Sequence, residues 1–322
     1  MKAAFITELG SPDNIQIGDL IEPTLGTLDV LVRTQALAVN FVDTLVRSGR
    51  YPTPKTFPFV IGRDVVGVVA AKGDAVDGFQ VGDLVWSNSL GHRGLQGSFS
   101  EYVAVPSARL YPLPEGADPI DAVALLHAAG TAHLALFREA GVRYGETVVV
   151  SGAGGAVGST AVQFAAASGA HVIATASDKD ADWCSSSGAE VVFDYRDPEL
   201  RTRIAAKAPN GVDVYLETSR HYDFTQTLPL LAPGGRFVLI TSDGSPANVP
   251  LEQLYLRDAS LRGFTISTAS VADLAEAARA INDGISRRLL RVRIATELSL
   301  EESVQAHRLM EEGARGRIVV LP

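Results

Sequence analysis

The segment Val150-Ser151-Gly152-Ala153-Gly154-Gly155-Ala156-Val157-Gly158 restricts this chain more than any other. An apolar run at 147–150 leads into it, and a helix-like stretch at 156–168 leads out. Gly152 and Gly154 let the backbone turn tightly and bring N–H groups near a pyrophosphate, and Gly158 lets the helix lie close on the sheet. Gly155, Ala156 and Val157 then stand at a helix N-terminus, whose free N–H donors and partial positive charge suit phosphate. A second apolar run, 171–175, follows about 20 residues on, as a dinucleotide-binding βαβ unit requires.

The end of that second run selects the cofactor. NAD enzymes place an acidic residue there to hold both ribose hydroxyls. Here Ala176 occupies the place, followed by Ser177, Asp178 and Lys179. Ser177 offers a hydroxyl and Lys179 a point charge to a 2′-phosphate. Tyr195, after a third run, adds a second hydroxyl. The pattern favours NADPH. One register shift would make Asp178 the ribose acid instead, so NAD stays open at this point.

Around the glycine turn, residues 122–265 alternate apolar runs (190–193, 212–217, 236–240) with helical patterns, which predicts a doubly wound parallel sheet. Residues 1–121 have a different texture. Short β-rich runs at 30–32, 65–71 and 102–105 are broken by Gly and Pro, which reads as an all-β unit. The tail predicts helices over 271–283 and 300–312, the second capped by Ser299 with Glu302 at the third helical position. A closing strand follows at 317–321, and the β-rich first region is its expected host. Two domains result, 1–121 with 266–322, and 122–265.

Composition narrows the function. The net charge is -9, which argues against a nucleic-acid partner. The single cysteine, Cys184, excludes a disulfide framework and any site built on several thiolates. No signal-peptide pattern opens the chain, and no apolar run looks long enough to cross a membrane, so a cytoplasmic location is expected.

The segment 38–51, with Asn40, Asp43 and Tyr51, resembles the N-terminal signature of the quinone oxidoreductases. Gly62-Arg63-Asp64-Val65-Val66-Gly67, Gly82-Asp83-Leu84-Val85, Gly97-Ser98-Phe99-Ser100-Glu101-Tyr102 and 316–321 are similar to that family's later markers, in the same order. The resemblance is to the zinc-free quinone oxidoreductase branch of the medium-chain dehydrogenase/reductase superfamily. It implies a GroES-like catalytic domain with a Rossmann domain inserted, an active site between them, and a homodimer joined near 261–266. It also implies that Lys179 and Tyr195 bind the 2′-phosphate, that Thr131 and Thr241 contact the nicotinamide amide, and that Arg317 belongs to the cofactor set. Zinc-dependent relatives carry Cys, His and Cys where this chain has Asn40, Arg63 and His127. An amide and a fixed cation make poor zinc ligands, so no metal is expected. Arg63 and Asp64 are expected to fill the place as an ion pair.

Hydride transfer without a Lewis acid needs an acceptor that is already electron-poor. The expected reaction passes hydride from NADPH to a quinone or an α,β-unsaturated carbonyl, with small molecules as the only partners besides a second subunit. Tyr51 is the proton-donor candidate, Asn40 a contact to the nicotinamide ribose or substrate, and Asp43 an orienting or helix-capping group. An enoyl-thioester reductase and a non-catalytic NADPH sensor are the alternatives. The loop 87–97, with His92 and Arg93, departs from the family's shorter loop, and 218–223 departs from its glycine-rich turn.

Overall fold

The computed structural model describes the whole chain, Met1–Pro322. It separates into two compact units: Met1–His127 with Ser270–Pro322, and Ala128–Ala269. The sequence reading places these boundaries a few residues away, at 121/122 and 265/266. The first of them falls inside a helix, Pro119–His133, which no change of texture marks.

The Ala128–Ala269 unit holds a six-stranded, all-parallel sheet. Its order is Val191–Asp194, His171–Ala176, Thr147–Ser151, Val212–Glu217, Leu231–Leu239 and Ser260–Gly263. The chain therefore builds outward from Thr147–Ser151 in one direction, then returns to its other side. The glycine turn leaves the strand at that reversal, where open α/β sheets bind their ligands. The strands are apolar on both faces: Val148, Val149 and Val150 are fully buried, as are Val214 and Leu216.

The other unit carries a seven-stranded sheet. The long strand Asp29–Val39 lies at its centre, paired antiparallel with Asp64–Lys72, Tyr102–Pro106 and the closing strand Arg317–Leu321. The closing strand thus finds the β-rich host expected of it, with Ile318 opposite Val39. Its other edge pairs with Ile294–Ser299, a strand the sequence reading left out. A smaller sheet joins Ile15–Asp19, Lys2–Ile6 and Phe59–Val60.

Two expectations need correction. The first region is not all β: Phe41–Ser48 is an α-helix, started at Asn40 and closed by Gly49 at φ 82°. Eight residues of alternating character inside a β-rich texture give little periodic signal. The second concerns length. Pro119–Glu139 is a continuous 21-residue apolar helical stretch, long enough by length and composition to cross a membrane. Most of it is buried inside the protein, as a core helix is. The tail helices run over Val271–Ser286 and Ser303–Glu312, the latter after one turn of 3-10 helix, with Ser299 N–H donating to Glu302 as the capping box requires.

Candidate functional site

The candidate residues fall into two sets, one in each unit. In the sheet unit, Gly152 sits at φ 75°, a left-handed conformation that side chains resist. A Cβ on Gly158 would lie 2.2 Å from the Gly152 carbonyl oxygen, so only glycine lets the helix start this close to the turn. The helix Ala156–Ala167 begins after Gly155 with no side-chain cap. Its first three N–H groups, on Ala156, Val157 and Gly158, have no carbonyl four residues back within the helix and face outward as donors. This cradle fits a pyrophosphate.

Thr218 belongs to the cradle and escaped the sequence reading. Its hydroxyl donates to the Ser151 carbonyl at 2.6 Å, and a Cβ on Gly152 would meet its Oγ1 at 2.7 Å. The departure from a glycine-rich turn at 218–223 therefore supplies a clamp on the turn beside it. Before it, Glu217 is buried, and burial raises its carboxyl pKa against hydrogen bonds from Ser219.

The strand His171–Ala176 ends on Ala176, with a turn of 3-10 helix at Asp178–Asp180. Ser177 Oγ donates to Asp180 at 2.8 Å. That carboxylate lies against the turn, since a Cβ on Gly154 would sit 2.9 Å from Asp180 Oδ2. Asp180, not weighed from the sequence, is thus the acid nearest the glycines, while Asp178 acts on Asp194 and Arg196. Lys179 is exposed in the same turn. The Tyr195 N–H donates to the Ala176 carbonyl at 3.1 Å, which fixes this exposed tyrosine beside the end of the strand. Arg196 stacks on its ring at 5.0 Å. Ser177, Lys179, Tyr195 and Arg196 so follow the ends of the two neighbouring strands His171–Ala176 and Val191–Asp194. Thr131 is buried in the core helix, and Thr241 is half-buried just past Leu231–Leu239.

In the other unit, Asn40 starts its helix with its backbone N–H donating to Asp43 at 2.8 Å. Its amide nitrogen donates to Asp64 at 2.9 Å, and its amide oxygen accepts from Arg317 at 2.7 Å. Arg317 also donates to the Ala124 carbonyl at 2.9 Å. Arg317, expected in the cofactor set, is buried and engaged in holding Asn40. Arg63 pairs with Asp43 at 3.6 Å and Asp64 with Arg317 at 3.9 Å, so the two residues expected to pair with each other take these partners instead. Tyr51 lies against it, its ring centroid 5.5 Å from the Arg63 guanidinium carbon. Asp43 therefore caps the helix and also pairs with Arg63.

Burial dominates the electrostatics of this network. It pushes the Asp43 carboxyl up to about 6 and Asp64 up to about 7, against the pull of Arg63 and Arg317 respectively. His127 is driven well below its usual range by burial, then by the same two arginines. A zinc ion does not fit here. The places where zinc-dependent relatives carry ligands hold an amide already bonded on both sides, a guanidinium, and one histidine in a cationic field.

Two family models match the chain: alcohol dehydrogenase GroES-like domain over residues 26–115, and zinc-binding dehydrogenase over 156–283. Together with the fold, they define a medium-chain dehydrogenase/reductase. Over its full length the chain is 31% identical to the quinone oxidoreductase of Rattus norvegicus, covering 98% of that protein. It belongs to the quinone oxidoreductase family. Among solved structures, a mycobacterial quinone oxidoreductase superposes with a TM-score of 0.89 at 29% identity, each chain fully covered. A mycobacterial protein complexed with NADPH does so at 0.87 and 28%, again over both whole chains.

Proposed function

We propose that this protein reduces quinones or α,β-unsaturated carbonyls with NADPH. The observation that carries the reading is the Asn40–Asp43–Arg63–Asp64–Arg317 network. It occupies the metal position with groups that cannot act as a Lewis acid toward an alcohol or aldehyde oxygen, so the acceptor must bring its own electron deficiency. The family of its relatives supports the same class.

The residues fit the cofactor. The N–H groups at 156–158 and the glycine turn would hold the pyrophosphate, and Ser177, Lys179 and Tyr195 the 2′-phosphate. Thr131 and Thr241 would orient the nicotinamide end. When bound, NADPH supplies the hydride. Tyr51 then provides the proton to the reduced acceptor, with its ring position set by Arg63. Asn40, fixed on both sides by Asp64 and Arg317, presents an amide that cannot rotate away.

Following the loss of NADPH absorbance tests the reading. Phenanthrenequinone and long-chain trans-2-alkenals are expected to be reduced, saturated aldehydes to be left alone, and a chelator to change neither result. Reduction of saturated aldehydes that EDTA abolishes and zinc restores would contradict it.

A further inference from the structure

The strand His171–Ala176 ends without an acid of its own: Ala176 stands where NAD enzymes place one, and it is buried. A carboxylate reaches the same corner from one turn further on. Asp180 is half-buried, and its Oδ2 accepts from Ser177 Oγ at 2.8 Å. Its backbone N–H donates to the Ser177 carbonyl, also at 2.8 Å, which folds the turn Asp178–Asp180 back toward the strand end. The glycine turn is tied to the same strand, since Ala153 N–H donates to the Thr175 carbonyl at 2.9 Å. A Cβ on Gly154 would lie 2.8 Å from the Asp180 Cβ and 2.9 Å from its Cγ. The missing side chain at Gly154 is therefore what admits this carboxylate.

The placement gives up a local role. Asp180 immediately precedes the helix Ala181–Ser186, a position from which an aspartate side chain ordinarily accepts from the first N–H groups of its own helix. It makes no such bond, and its carboxylate lies against the glycine turn instead. That turn and the end of this strand are the two features between which an adenosine ribose is held in a dinucleotide-binding βαβ unit.

We propose that Asp180 accepts a hydrogen bond from the 3′-hydroxyl of the cofactor's adenosine ribose, in place of the acid missing at Ala176. The inference rests on the NADPH reading and deepens it. The Ser177 hydroxyl has one proton to give, and here it goes to Asp180. Once a 2′-phosphate draws that proton away, the neighbouring ribose hydroxyl replaces it as the donor to Asp180. The ribose is then held twice, by Lys179 at its phosphate and by Asp180 at its hydroxyl. The second hold needs no phosphate, so NADH is bound as well, though less tightly than NADPH.

Calorimetric titration tests this without turnover. It compares NADH with an NADH analogue that lacks the 3′-hydroxyl of the adenosine ribose. The unmodified protein is expected to bind NADH about tenfold more tightly than the analogue, the effect of one charge-assisted hydrogen bond. In Asp180→Ala the two should bind alike. Lys179→Ala should weaken NADPH binding and keep the ratio of NADH to analogue, which separates the two holds. Asp180→Asn preserves the packing against Gly154 and is expected to shrink the ratio with the melting temperature unchanged, so a damaged turn cannot account for the effect. A ratio near one in the unmodified protein, or a ratio that survives both substitutions at Asp180, would overturn the assignment; with NADPH still bound, the cofactor reading would stand. Failure of the unmodified protein to bind either NADPH or NADH would refute the cofactor reading and this inference with it.

Discussion

Lys179 shows how far single residues were legible. Its place after the second strand is fixed by counting from the glycine turn, and the structure puts it in an exposed turn with Ser177, close to Tyr195. If it meets a 2′-phosphate, Lys179→Ala should weaken NADPH binding at least tenfold more than NADH binding, measured by fluorescence titration of each nucleotide. Equal losses would remove it from the phosphate site. Asp180 and Thr218 were not legible. Their roles depend on distances across the turn, from Asp180 to Gly154 and from Thr218 to Gly152, and no spacing rule along the chain reports those. Arg317 was assigned to the cofactor set, and its grip on Asn40, which joins residues 277 apart in the sequence, was not legible.

Elements with sustained periodicity were the easiest to read. The strand Val212–Glu217 and the helix Ala156–Ala167 stand within a residue of expectation, because a buried parallel strand and the helix after a glycine turn both carry strong local signals. The short helix Phe41–Ser48 was lost in its β-rich surroundings, although its Asn40–Asp43 cap and terminal Gly49 were available as markers. The helix Ser303–Glu312 carries a pH dependence. It packs His307 fully buried, edge-on to Phe99 and near Arg47, which itself pairs with Glu311. Burial and then Arg47 hold His307 down to about 3, from an ordinary value of 6.5. The unfolded chain therefore takes up a proton as pH falls through 6.5, and the folded chain does not until near 3. This contribution to stability is complete above pH 6.5 and is lost on acidification. His307→Met should lose less of its urea midpoint than the unmodified protein between about pH 7 and about pH 4.5. An identical loss would show that this histidine is not responsible. His92 and His127 are depressed in the same direction, so the loss shrinks rather than disappears.

For the molecule as a whole, the strand Ser260–Gly263 ends the parallel sheet and is paired on one side only. A second copy of the chain joined along that edge would complete it, as the family resemblance implies. Light scattering is then expected to report twice the 34.0 kDa chain mass, and a monomer at micromolar concentration would rule this out. Texture changes along the chain, and the structure divides into two compact units at His127/Ala128, inside an unbroken helix that no change of texture marks. The pairing of Ile318 with Val39 has a consequence in time. The sheet beside Asn40 cannot close until residues 317–321 have left the ribosome, whereas residues 128–269 are contiguous and have all their own strands well before that. During synthesis the unit with the glycine turn is thus positioned to mature first, and the unit bearing Tyr51 must wait, its central strand unsealed, for Arg317–Leu321 to arrive.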